Sequence, residues 1–151
     1  MNEIPLEELL AQAENAGVFF VTNSDLEAIE LASQHNDAFY AFYGFIELQH
    51  CHSRMVLLQA IAHAMNFPPS FGNNWDALAD YLSDLNWLAS EAFILCFAHA
   101  DSYREAHEED FNTLIEILEE TSTTWSAQNS PFWVFLSLPD AEFENIQIDE
   151  T

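Results

Sequence analysis

The sequence contains no lysine and only two arginines, Arg54 and Arg104, in 151 residues. A P-loop needs a lysine, and phosphoryl transfer needs basic side chains to stabilise phosphate charge, so phosphate-handling enzymes are disfavoured. Against these two cations stand 26 acidic residues, which give a formal net charge of −24. Such a charge repels nucleic acid and anionic membranes and attracts basic partners. Solubility through self-repulsion and a halophilic source are the alternative explanations.

Cysteine is also scarce. Cys51 and Cys96 are the only two, and their spacing fits neither a metal site nor a redox motif. Two isolated thiols are typical of a reducing compartment. The first residues lack the basic and apolar segments of a signal peptide, and no apolar run reaches the length of a membrane span. We therefore expect a cytoplasmic protein.

Apolar residues, by contrast, are abundant, since 50% of the chain is hydrophobic and 14% is aromatic. This is too much apolar material for a disordered acidic protein. Short apolar runs predict buried strands at residues 18–21, 39–48, 93–97 and 132–138. Helical patterns separate these runs, so we expect an α/β domain with a small parallel sheet flanked by helices.

Polar and special residues predict where the helices and turns lie. A first helix is expected over residues 6–15, and a long one from Phe111 towards Trp125. The expected N-caps are Ser24, Ser53 and either Asn73 or Asn74. Gly72 is expected to permit the tight turn before the helix at 75–84. Pro131 and Pro139 are expected to border the last strand.

The helix at 75–84 is predicted to be amphipathic. Its core-facing stripe is Trp75, Leu78, Ala79 and Leu82, and its opposite side carries Asp76, Asp80, Ser83 and Asp84. Two like charges one turn apart cost a helix about 0.2–0.5 kcal/mol. The helix dipole compensates Asp76 in the first turn, but Asp80 and Asp84 approach the negative end. This pattern indicates a surface that meets a cationic partner.

The sequence gives weaker evidence for catalysis or metal binding. Paired carboxylates can serve a glycosidase, but side chains on an exposed convex helix lie in no cleft. His50 and His52 would point the same way, with Cys51 opposite, if the preceding strand continues through them. A polar junction between strand and helix explains these three residues more simply than a metal site. No serine or cysteine lies in a nucleophile motif. We predict no catalytic residue, no metal site and no cofactor, and hence no enzyme.

Residues 67–82 closely resemble the signature of the barstar family, which consists of small acidic inhibitors of secreted bacterial ribonucleases. They read FPPSFGNNWDALADYL. The family pattern is proline, an aromatic–glycine turn, Asn, an apolar residue, Asp-Ala-Leu, one variable residue and Asp. The resemblance covers residues 39–138 and implies a barstar-like three-layer fold with three strands, to which residues 18–38 can add a fourth. Residues 1–38 would then be an extension packed on the same domain, and 139–151 an acidic tail.

The resemblance implies inhibition by occlusion, in which the helix and the preceding turn fill the basic active-site cleft of a ribonuclease. Asp80 would take the place of a substrate phosphate, and Asp76 would meet neighbouring basic side chains. A carboxylate suits this role because it accepts paired, charge-assisted hydrogen bonds from arginine much as a phosphate does. The implied partner contacts are Ser70, Phe71, Gly72, Asn74, Trp75, Asp76, Ala79, Asp80, Ser83 and Asp84.

The sequence also departs from the family pattern. Ser70 stands where the family has an aromatic residue, and Ala79 stands where it has tryptophan. Aromatic residues are common interface anchors, so we expect a different cognate enzyme or a weaker complex. The free protein is expected to be monomeric and to act as an immunity or antitoxin-type inhibitor. The alternative is an acidic adaptor or nucleic-acid mimic that binds another basic protein or toxin through its whole acidic surface.

Overall fold

Four strands and five α-helices occupy the residues that the computed structural model describes, which are 16–34, 41–90 and 92–139. The strands are β1 (Val18–Thr22), β2 (Ala41–Glu47), β3 (Ala92–Ala98) and β4 (Phe132–Leu138). The helices are α1 (Asn23–Gln34), α2 (Arg54–Ala64), α3 (Trp75–Asp84), α4 (Ala100–Ala106) and α5 (Glu108–Ser126). A 3₁₀ turn spans Leu48–His50. The predicted helix over residues 6–15 and the acidic tail lie outside the described residues.

The four described strands form one parallel sheet in the order β1-β4-β3-β2. This confirms the predicted α/β fold and the fourth strand from the segment 18–38. β3 and β4 lie in the centre and are buried along their whole length. Their uniformly apolar sequences are those expected of parallel strands covered on both faces. β1 and β2 form the edges and are partly exposed.

Two apolar clusters lie on opposite faces of the sheet, so the domain has three layers. Successive side chains of a strand point to opposite faces. In β3, Phe93, Leu95 and Phe97 join the first cluster, and Ile94 and Cys96 join the second. Helices α2 to α5 cover the first cluster, whereas α1 covers the second through Leu26 and Ile29. The sheet therefore separates α1 from α3.

Several element boundaries follow the capping and proline signals. Ser53 caps α2 as predicted, since its Oγ accepts a hydrogen bond from the Val56 N–H at 3.2 Å. The last strand runs from Phe132 to Leu138, as the flanking prolines predict. The prediction that Ser24 caps α1 is wrong, because that helix begins at Asn23, one residue before Ser24. The Thr22 hydroxyl accepts the hydrogen bond from the Asp25 N–H at 3.0 Å instead.

Helix α4 is absent from the sequence prediction. Only Ala100 and Tyr103 in its seven residues are buried, so it offers no apolar stripe. The residue before it, His99, provides no side-chain cap and has a positive φ of 58°. Tertiary packing rather than local sequence therefore accounts for this helix.

In the described ranges, no helix combines the length and apolar character that crossing a membrane requires.

Candidate partner-binding face

Helix α3 begins at a tight turn that two asparagines build. The sequence leaves the cap open between them, and the structure assigns it to Asn74, whose Oδ1 accepts a hydrogen bond from the Ala77 N–H at 2.8 Å. Asn73 takes a positive φ of 56°, which asparagine tolerates better than most residues. The prediction that Gly72 makes the turn possible is wrong, because Gly72 does not have a positive φ.

The solvent side of α3 carries a row of polar side chains, which we call the acidic face. It consists of Asp76, Asp80, Ser83 and Asp84, all of which are exposed. On the opposite side, Leu78 and Leu82 are fully buried. Trp75 packs against the first apolar cluster but stays partly exposed. Ala79 is also only partly buried, so it borders the acidic face rather than the core.

The three aspartates of the acidic face form no ion pair with any residue in the described part of the chain. In that part of the chain, Arg54 pairs with Asp110, and Nδ1 of His99 lies 2.7 Å from Oε2 of Glu47. Like charges one turn apart repel each other along the helix. Binding of a cationic surface would relieve this repulsion, so the electrostatics of α3 favour a basic partner.

Arg54 lies at the start of α3 without neutralising its aspartates. Its guanidinium carbon is 5.8 Å from the centre of the Trp75 ring. Its Nε donates to Oδ1 of Asp110 at 3.1 Å, and its Nη2 lies 3.0 Å from the same oxygen. Arg54 thus connects the first turns of α2, α3 and α5. Sequence reasoning missed this role because these residues are far apart in the chain.

The turn before α3 rests on an aromatic cluster. Phe71 is 8% exposed, and its ring centroid lies 4.8 Å from that of Phe67 and 5.3 Å from that of Tyr81. The structure therefore places Phe71 in the core, whereas Ser70 and Gly72 are exposed. The hydroxyls of Ser70 and Tyr81 lie 2.6 Å apart and share a hydrogen bond. Ser70 thus links the turn to the second turn of α3.

The end of α3 is held to α5. The indole N–H of Trp125 donates to the carbonyl oxygen of Leu82 at 2.7 Å. Leu85 then leaves the helix with a positive φ of 49°, and its N–H donates to the carbonyl of Tyr81 at 3.2 Å. Because Arg54 joins the two helix starts and Trp125 joins the two ends, α3 has a defined orientation on the domain.

The structure places the three consecutive residues His50, Cys51 and His52 in different environments. His50 ends the 3₁₀ turn, Cys51 is buried, and His52 is exposed. The strand does not continue through them, so the alternating geometry of a strand does not apply. In the ranges that the structure describes, no group of three or more His, Cys, Asp or Glu residues is placed to hold a metal ion.

Comparison with known proteins gives a family match and several matches among solved structures. A family model described as "Barstar (barnase inhibitor)" matches residues 43–137. No curated protein matches the sequence. A solved chain in "Structure of Drosophila ORC bound to DNA" aligns with a TM-score of 0.57 and 16% identity. The alignment covers 91% of this chain but only 37% of that one. At this identity the similarity concerns the fold alone.

Proposed function

Because the chain belongs to the barstar family, whose model matches residues 43–137, we propose that it inhibits a ribonuclease by inserting α3 into the basic active-site cleft of that enzyme. The acidic face is the observation that carries the proposal. Three exposed aspartates on one side of one helix lack any cationic partner in the described part of the chain.

Asp80 is the residue proposed to replace a substrate phosphate. It lies in the middle of α3 and is exposed. A ribonuclease cleft holds phosphate with basic side chains, and a carboxylate accepts the same charge-assisted hydrogen bonds. Asp76 lies one turn earlier and would meet a second basic side chain. The buried Leu78 and Leu82 on the opposite side keep both aspartates directed outwards.

The rigid support of α3 favours tight binding. The helix is capped by Asn74, joined to Ser70 through Tyr81, and held at its end by Trp125. A side chain that is already oriented loses less conformational entropy when it binds. The net charge of −24 adds long-range attraction, which raises the association rate with a basic enzyme.

The target need not be the enzyme that other family members inhibit. Ser70 provides no aromatic surface, and Ala79 offers only a small partly buried side chain. Trp75, at the first position of α3, is the aromatic residue that remains next to the aspartates. We therefore propose that the apolar contact with the partner has moved to the start of the helix.

Inhibition assays against a panel of small secreted bacterial ribonucleases test this function. For an enzyme that the chain inhibits, Asp80→Ala should weaken binding by about 3 kcal/mol, or roughly a hundredfold, because a basic group in the cleft loses its partner. Calorimetry or surface plasmon resonance at low salt would measure the change.

Asp25→Ala is the matched control for this measurement. It removes the same charge from an exposed site on α1, on the other side of the sheet. Its effect on affinity should stay below about 0.5 kcal/mol. A change of less than about 0.5 kcal/mol for Asp80→Ala would refute the phosphate-mimic role. Equal losses in both variants would instead support an acidic adaptor that binds through its overall charge.

A further inference from the structure

A second candidate site lies on the opposite side of the sheet from the acidic face. A cavity of about 280 Å³ opens beyond the C-terminal ends of β2, β3 and β4, next to the first turns of α1. In open parallel sheets, this end of the strands is where ligands commonly bind. The side chains that matter here are Asn23, Glu27, Phe45, Glu47, His99 and Ser137. The first two precede the segment that the family model matches, and the other four belong to it.

One wall of this cavity is held by a short hydrogen-bond network. The backbone N–H of His99 donates to Oγ of Ser137 at 2.8 Å. The Nδ1 of His99 lies 2.7 Å from Oε2 of Glu47, which also accepts a hydrogen bond from the Gln49 N–H at 3.2 Å. These contacts connect the ends of three strands. The wall is therefore arranged before any ligand arrives.

Glu27 and Asn23 add oxygen acceptors to the lining of the cavity. Glu27 is an exposed carboxylate that forms no ion pair with a described residue. The Oδ1 atom of Asn23 is buried and receives no hydrogen bond from any described group. A buried acceptor without a donor is costly, so a ligand that donates hydrogen bonds would be stabilised there.

An exposed aromatic ring adds a second preference to the kind of ligand that this cavity can bind. Phe45 projects from the edge strand β2 on this side, and 47% of it is exposed. The face of an aromatic ring attracts cations and also accepts apolar groups. The Glu27 carboxylate, an acceptor without a donor and an exposed ring together match a cation that carries a short apolar stem.

We propose that this cavity binds a small organic cation, namely a primary amine or a guanidinium on a short alkyl chain. Its volume of about 280 Å³ lies just below the usual range of ligand pockets, which begins at about 300 Å³, so the ligand must be small. The site is separate from α3 and does not depend on ribonuclease inhibition.

Titration of the full chain with agmatine, which carries both cationic groups, tests the proposal. At roughly 150 mM NaCl, nonspecific attraction to the acidic surface is screened. Calorimetry should then detect one saturable site, and ¹H–¹⁵N spectra should shift at the amides of His99 and Ser137. Phe45→Thr, at an exposed strand position, should weaken binding about fivefold because the ring contact is lost.

A pair of charge-matched variants separates a specific site from general attraction. Glu27→Gln should weaken agmatine binding about threefold, whereas Glu120→Gln, an exposed α5 residue on the other side of the sheet, should leave it unchanged. Equal weakening by the two variants would overturn the proposal. So would the absence of saturable binding, or spectral shifts centred away from His99 and Ser137.

Discussion

At the scale of single residues, burial determines the chemistry of the two thiols. Burial raises the pKa of Cys96 from 9.0 to about 12, although the nearby Tyr43 hydroxyl acts in the opposite direction. Burial and the charge of Glu47 raise the pKa of Cys51. Both side chains therefore remain protonated at neutral pH, and protonated thiols are poor nucleophiles and poor metal ligands.

These raised pKa values predict that the protein loses stability in alkali. Burial, and next the charge of Asp110, also raise the pKa of Tyr103, to about 12. The unfolded chain releases such protons near its ordinary pKa values, about 9 for cysteine, whereas the folded chain retains them. The stabilisation is therefore complete below about pH 9 and is lost as the pH rises towards 12.

Urea unfolding at a series of pH values above neutrality measures this effect. Cys96→Ala removes one of the shifted groups, so its free energy of unfolding should fall less steeply with pH than that of the unchanged protein. A free energy that stays constant up to about pH 11 would contradict the prediction.

At the scale of the element, the turn that starts α3 depends on the backbone of Asn73. Its φ of 56° lies in the left-handed region. Asn73→Ala should cost about 1 kcal/mol, because alanine adopts a positive φ less readily than asparagine. Thermal or urea unfolding would measure the change in the free energy of unfolding.

Asn73→Gly is the matched control, since glycine adopts a positive φ without strain. It should be close to neutral in stability, within about 0.5 kcal/mol. Equal destabilisation by the alanine and glycine variants would show that the asparagine side chain, not its backbone conformation, matters.

The elements themselves differ in how well the sequence predicts them. The central strands are predictable because every residue of β3 and β4 is buried, which leaves continuous apolar runs. Helix α4 is not predictable from the sequence, because its polar segment is stabilised by packing around Tyr103. The type of residue that caps a helix is predictable, but its position is not always so, since Thr22 and Ser24 are both suitable N-caps.

The candidate site likewise combines features that the sequence predicts with features that it does not. The exposure of Asp76 and Asp80 follows from helical spacing, so the sequence alone predicts it. The contacts of Arg54 with Trp75 and of Trp125 with Leu82 join segments distant in the chain. No local pattern encodes such contacts, and only the folded structure supplies them. The partner roles of the residues on and around α3 remain predictions.

At the scale of the whole molecule, the net charge of −24 affects stability as well as binding. Repulsion between carboxylates is stronger in the compact state than in the expanded unfolded chain. We therefore predict that the urea midpoint rises when NaCl is increased from about 10 mM to about 500 mM, because salt screens this repulsion.

KCl provides the control for that series. If screening alone acts, the two salts should raise the midpoint equally at equal ionic strength. A difference between them would indicate a specific ion site, and a midpoint that does not rise would contradict the prediction.

The sheet order has a consequence for the growing chain during synthesis. Among the described strands, β1 pairs only with β4. Val18 therefore lies beside Val134, although almost the whole described sequence separates them in the chain. Of the four described strands, β1 is synthesised first, and its pairing partner β4 is synthesised after the other three. Until then its apolar residues and unpaired backbone are available to other chains, as in other partly folded intermediates. Chaperones that bind short apolar segments would be needed most during this interval.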